Sequence, residues 1–193
     1  MPKVVDHDER RRQIADAVFR VTARDGLDAA TLRHVAAEAG VTSGMVQHYF
    51  PSKDTMLRYA MDAARQRYET RMTAAIGVLG STPSPRAVLT AMLQNLIPHD
   101  RAETDDGRVS LAFQAYAATH DELSAVLADD DALLLGHLTQ LVEAAAGPVD
   151  DPRSRATALM ATAEGLSMKV LATDLAAADA AGILDRAIDL LLA

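Results

Sequence analysis

The chain has 193 residues, 49% of them hydrophobic and 24% charged, with a net charge of −8. That length is enough for one large domain or two small ones, each with a buried core. Cysteine is absent, which excludes disulfides and thiolate metal sites, and no apolar run reaches the roughly 18 residues of a membrane span.

The N-terminal "MPKVVDHDERRRQ" lacks the apolar centre of a secretory signal. The sequence therefore predicts a cytoplasmic protein with no membrane partner. Charge is unevenly spread. Over residues 1–60, nine Lys and Arg stand against eight Asp and Glu, a balance of +1. The remaining ten bases and nineteen acids leave residues 61–193 at −9. The basic residues of the first segment bunch at Arg10, Arg11 and Arg12.

In chain order, every element reads as helix. Ile14, Ala17, Val18 and Val21 form an apolar stripe from about Asp8 to Arg24, ended by Gly26. Thr31 is placed to cap a short helix over 32–39, stopped by Gly40. Thr42 is placed to cap a second, running to Tyr49 and stopped by Pro51. Ser52 then opens a long helix over 53–78. "GSTPSP" at 80–85 is a break. Helices are expected after it at about 85–97, 102–118, 121–146, 153–173 and 177–192. No run alternates with period two, so no strand is expected. The prediction is an all-α chain of about nine helices. A three-helix N-terminal domain over 1–52 precedes a helical bundle over 53–193, with helix 53–78 connecting the two.

The motifs of common enzyme chemistry are missing: no GxSxG, no phosphate loop, no HExxH. The six histidines (7, 34, 48, 99, 120 and 137) form no pair at i, i+3 or i, i+4. Neither an enzyme, a cofactor nor a metal site is expected.

Residues 41–53, "VTSGMVQHYFPSK", differ from the alanine- and leucine-rich remainder. Two short helices meeting at Gly40 are the pattern of a helix-turn-helix, whose second helix is free to enter a DNA major groove. Val46 and Phe50, four apart, would face the core. Thr42, Ser43, Gly44, Gln47 and His48 are left pointing outward. Gln bonds adenine bidentately, Ser, Thr and His serve bases or phosphates, and a thymine methyl fits against Thr42 or the bare Gly44 backbone. Lys53, at the start of the next helix, can take a phosphate beside the free N–H groups there.

The stretch "GLDAATLRHVAAEAGVTSGMVQHYFPSKDTML" over 26–57 closely resembles the DNA-binding signature of TetR-family transcriptional regulators. "VQHYFPSKD" looks most like the BetI-like branch. The resemblance implies that Thr31, Tyr49 and Lys53 grip phosphates, and that Thr42, Ser43, Gly44, Gln47 and His48 line the major groove. It also implies that Leu32, Val35 and Phe50 are core. Many family members carry Tyr where Gln47 stands, which leaves the base preference there open.

The resemblance further implies a C-terminal domain that dimerises and binds a small-molecule effector. In 153–173, Leu159, Ala163, Leu166 and Val170 share an apolar stripe, and so do Ile183, Leu184, Ala187, Ile188 and Leu191 in 177–192. These stripes fit either a four-helix interface between two copies or an intramolecular core. Pocket candidates are Met92, Leu96, Phe113, Tyr116, Leu134, His137, Met160 and Glu164, with Met168. Asp130 and Asp131 fall on the apolar stripe of helix 121–146, where an unpaired carboxylate is costly. Either the helix breaks there, or the acids reach its rim, or they face a polar cavity. One of them, or Glu164, would then select a cationic or polyhydroxylated ligand. The expected function is a ligand-responsive repressor that binds double-stranded operator DNA as a homodimer. The alternative is a helical ligand-binding or adaptor protein of the same fold without operator binding.

Overall fold

The computed structural model describes residues 7–193. Among them are nine α-helices and no strand: α1 (His7–Asp25), α2 (Leu32–Ala39), α3 (Ser43–Tyr49), α4 (Lys53–Gly77), α5 (Pro85–Gln94), α6 (Arg101–Ala117), α7 (Asp121–Ala146), α8 (Pro152–Ala172) and α9 (Ala177–Leu192). A 3₁₀ turn at Leu27–Ala29 joins α1 to α2. Among the described residues, no helix is long and apolar enough to cross a membrane.

The helix starts are built by side chains that accept the orphan N–H groups of a first turn. Thr31 Oγ1 accepts from His34 N at 3.2 Å and Thr42 Oγ1 from Met45 N at 3.2 Å. Ser84 and Asp151 do the same for α5 and α8. Ser52 and Thr55 cap reciprocally at α4: Thr55 N donates to Ser52 Oγ at 3.1 Å and Ser52 N to Thr55 Oγ1 at 3.2 Å. α5 stops at Gln94, short of the expected 97. Leu96 N and Ile97 N turn to the tighter i−3 carbonyls of Leu93 and Gln94, and Pro98 disfavours helical backbone at the residue before it.

The chain divides into two compact units. The N-terminal unit runs to Arg67 and adds Arg108–Leu123; the C-terminal unit takes Tyr68–Gly107 and Ser124–Ala193. The N-terminal unit thus includes α4 as far as Arg67 and α6 from Arg108 onward.

In the N-terminal unit, α1 packs on α2 and α2 on α3. Ile14, Val18, Val21, Val35, Val46 and Leu57 are fully buried. Polar contacts reinforce this: Glu38 accepts from Arg20 Nε at 2.7 Å and Arg24 Nη1 at 3.1 Å, and Gln13 Nε2 donates to the Ala39 carbonyl at 2.8 Å. Arg67 of α4 pairs with Asp16 and lies over the Phe19 ring, 4.2 Å from its centroid.

The C-terminal unit has its own core. Leu89, Leu93 and Ile97 pack with Leu138 and Val142 of α7, Leu159 and Ala163 of α8, and Leu184 and Ile188 of α9. Arg86–Asp189 and Gln94–Asp185 tie α5 to α9. Arg155 Nη1 donates to the Leu191 carbonyl at 2.7 Å, satisfying an orphan acceptor at the end of α9. Six of the seven aromatic residues (Phe19, Tyr49, Phe50, Tyr59, Phe113 and Tyr116) belong to the N-terminal unit; Tyr68 alone belongs to the other.

Candidate nucleic-acid interface

The turn between α2 and α3 sets the angle of the second helix. Gly40 adopts φ 66° and ψ 32°, a left-handed conformation that favours glycine. Its N–H bonds the Ala37 carbonyl at 3.2 Å, and the next N–H, of Val41, reaches back to Ala36 at 3.0 Å. These paired bonds form a Schellman closure that satisfies the last carbonyls of α2. The chain then re-enters helix at once through the Thr42 cap.

α3 has one buried side and one open side. Val46 is fully buried and Phe50 nearly so, with the Phe50 ring 5.4 Å from that of Tyr59. Thr42, Ser43, Gly44, Gln47 and His48 are exposed. Thr31 and Thr42 use their oxygens to accept cap bonds, which leaves each hydroxyl hydrogen to donate outward, as a phosphate contact requires. Tyr49 is half-buried, its ring 5.3 Å from both the His7 and His48 rings. Leu32, expected in the core, is only partly buried. Met45 is an exposed apolar side chain on α3 that the sequence reading passed over. The buried pair at 46 and 50 was its one available signal, since position 45 lies off that side.

Lys53 begins α4, with its Nζ 5.7 Å from the centroid of the Tyr116 ring. The Tyr116 hydroxyl donates to Asp54 Oδ1 at 3.5 Å. Partial burial and the Asp54 carboxylate push the Tyr116 phenol up from its ordinary value.

The pocket candidates are distributed over both units. Phe113 and Tyr116 lie in the N-terminal unit, Phe113 buried and Tyr116 beside Lys53. Met92 and Met160 are part of the apolar core of the C-terminal unit, with Leu96 and Leu134 packed against it. His137 and Met168 are exposed. Glu164 stands at a polar cluster of the C-terminal unit. α7 runs unbroken through Asp129–Asp131, so the helix does not break there. Asp131 and Glu164 are both exposed residues. Desolvation nonetheless raises the carboxyl pKa of Asp131, and Glu164 is raised by desolvation first and by the Asp131 charge second. Tyr68 of α4 belongs to the same cluster. Burial pushes its phenol up, a bond to Asn95 lowers it, and Glu164 raises it further. Its hydroxyl lies 3.5 Å from the Met92 carbonyl. Arg71 Nε is buried without a partner among the described residues, while Arg71 Nη1 pairs with Asp106.

The expected dimer residues also divide. Leu159, Ala163, Leu184 and Ile188 are completely buried within the one chain and leave no surface to offer a partner. Leu166, Val170, Ala187 and Leu191 are partly buried, and Ile183 is exposed. Leu190, not anticipated, is 79% exposed.

Comparison with known proteins gives the arrangement its relatives. Residues 14–60 match the family described as bacterial regulatory proteins, tetR family, and residues 85–193 match the family described as BetI-type transcriptional repressor, C-terminal. The transcriptional regulator PksA of Bacillus subtilis is 36% identical over 117 residues, covering 61% of this chain and 56% of PksA. The regulator BetI of Vibrio parahaemolyticus is 27% identical over 75% of this chain and 72% of its own length. Among solved structures, a transcriptional regulator from Rhodococcus sp. Rha1 superposes with a TM-score of 0.85 at 28% identity, covering 94% of this chain and 95% of that one.

Proposed function

Because the chain belongs to the tetR family of bacterial regulatory proteins, with a BetI-type C-terminal domain, we propose that it represses transcription as a homodimer that leaves its operator when a small molecule binds the C-terminal unit. The observation that carries the DNA-binding part is α3. Five small or hydrogen-bonding positions stand exposed on a helix whose other side is pinned by Val46 and Phe50. Gln47 and His48 read base edges, Ser43 and Gly44 allow close approach, and Met45 meets a thymine methyl. Thr31, Tyr49 and Lys53 fix the helix on the phosphates. A dimer presents two such helices to major grooves about 34–36 Å apart.

The dimer contact assigned here uses what the single chain leaves open. Ala158, Ala161, Gly165, Met168 and Ala172 fall on one side of α8 at alternating steps of three and four. Ile183, Ala187 and Leu190 do so on α9. Small residues on α8 let a partner helix approach closely.

The effector assigned here carries a positive group. The Asp131 charge raises the Glu164 carboxyl, and a cation between the two removes that repulsion. Tyr68 is the one aromatic residue of the unit, too few for an aromatic cage, so an amine with N–H donors suits the two carboxylates.

The test is selection of duplexes from random sequence by the full-length protein, followed by fluorescence anisotropy at several salt concentrations. Specific binding should weaken with salt, with a log–log slope of about −0.9 per phosphate neutralised. Lys53→Ala should reduce that slope by about one while preserving sequence preference. A protein that enriches no sequence, and binds as weakly as the variant, refutes operator binding.

A further inference from the structure

Tyr116, a pocket candidate on its sequence pattern, has a defined set of neighbours. It stands at the last turn of α6, in the N-terminal unit, together with the first residues of α4. Three contacts define its place. Lys53 Nζ lies over its ring at 5.7 Å from the centroid. Its hydroxyl reaches Asp54 Oδ1 at 3.5 Å. Its ring stacks on that of His120 with centroids 3.7 Å apart and planes within 10°. The turn that follows is locked to the same residue: His120 Nδ1 lies 2.8 Å from the Tyr116 carbonyl oxygen, and Thr119 Oγ1 donates to that oxygen at 3.1 Å. The ring is therefore held at both its hydroxyl end and its backbone.

Lysine is a point charge on a flexible four-carbon stem, so a phosphate contact through it gains from anything that limits where the ammonium sits. The face of a tyrosine ring attracts a cation without saturating its donors. An ammonium over the ring keeps N–H groups to give to a phosphate. The hydroxyl also engages Asp54, the carboxylate adjacent in sequence that would otherwise compete for the same ammonium.

We propose that Tyr116 is a positioning residue for operator binding, holding the Lys53 ammonium at the N-terminus of α4 ready for a backbone phosphate. This rests on the reading of the protein as an operator-binding regulator, and it adds a residue of α6, more than sixty positions along the chain, to the determinants of that binding. Tyr116 itself touches no DNA in this scheme and acts through Lys53.

A double-mutant cycle tests it. Wild type, Tyr116→Leu, Lys53→Ala and the double variant are titrated, as full-length proteins, against the duplex selected from random sequence. Tyr116→Leu should weaken binding about two- to fivefold, the range of an exposed cation–ring contact, and should have no effect in the Lys53→Ala background. Tyr116→Phe, which keeps the ring and loses the hydroxyl, should weaken binding less than Tyr116→Leu. Equal losses in both backgrounds, or none in either, overturn the proposal while leaving operator binding intact. In the free wild-type protein the Lys53 ε-methylene protons should show an upfield ring-current shift, and its absence overturns the proposal whether or not the Leu variant folds. Failure of the wild type to bind any selected duplex overturns the regulator reading and this inference with it.

Discussion

Gly40 and Gly44 lie four positions apart and carry different physics. A Cβ built on either meets no neighbouring atom within 4 Å, so space is not what favours glycine. At Gly40 the backbone is left-handed, and Ala there should lower stability by about 1 kcal/mol through conformation alone. Gly44 lies inside α3, where Ala is the better helix former. Gly44→Ala should therefore raise stability by up to roughly 0.5–1 kcal/mol. On the proposed reading it should weaken operator binding at the same time, because the new methyl stands on the exposed side of the helix. Urea denaturation and anisotropy on the same two variants separate the effects. A Gly44→Ala protein that is both more stable and equally tight on DNA would remove Gly44 from the interface.

At the scale of elements, the helices themselves were legible because their punctuation is local. Thr31, Thr42, Ser52 and Ser84 cap within three residues of themselves, and Gly40 and Pro51 stop helices where they stand. The partners of α8 and α9 were not legible. An apolar stripe says that a helix side is buried, and nothing in the stripe says whether the covering surface belongs to the same chain. Leu184 and Leu190 show the difference, one fully buried inside the unit and the other 79% exposed. Leu184→Ala should cost about 2–5 kcal/mol of folding stability. Leu190→Asp should leave the melting of a dilute monomer almost unchanged and shift the assembly toward monomer in sedimentation velocity. If Leu190→Asp sediments as wild type does, α9 is not the dimer contact. Tyr116 was illegible for a different reason: it meets Asp54 across 62 positions, and no local pattern encodes a contact of that range.

Across the whole molecule, acid acts on the two units in opposite senses. Bonds from Arg20 and then Arg24 hold the Glu38 carboxyl below its ordinary range. Its stabilising contribution is complete above the ordinary carboxylate value and is lost as pH falls toward the folded value. Glu164 is shifted the other way, by desolvation and then by Asp131. The native state binds that proton more tightly than the unfolded chain does, so stability falls as pH rises from the ordinary value through the raised one. Glu164→Gln should therefore increase the melting temperature at pH 7, and the gain should shrink as pH approaches about 4–5. A gain that stays constant with pH would show that ionisation of Glu164 is not its source. The placement of the aromatic residues makes such experiments selective. The chain has four tyrosines and no tryptophan, and three of those tyrosines belong to the N-terminal unit. Near-ultraviolet dichroism and tyrosine emission thus report chiefly on the N-terminal unit, while far-ultraviolet dichroism sums the helices of both units. A gap between the two melting curves would measure how independently the units unfold. In an effector titration the C-terminal unit has one voice, Tyr68, and it lies within the polar cluster where the ligand is expected.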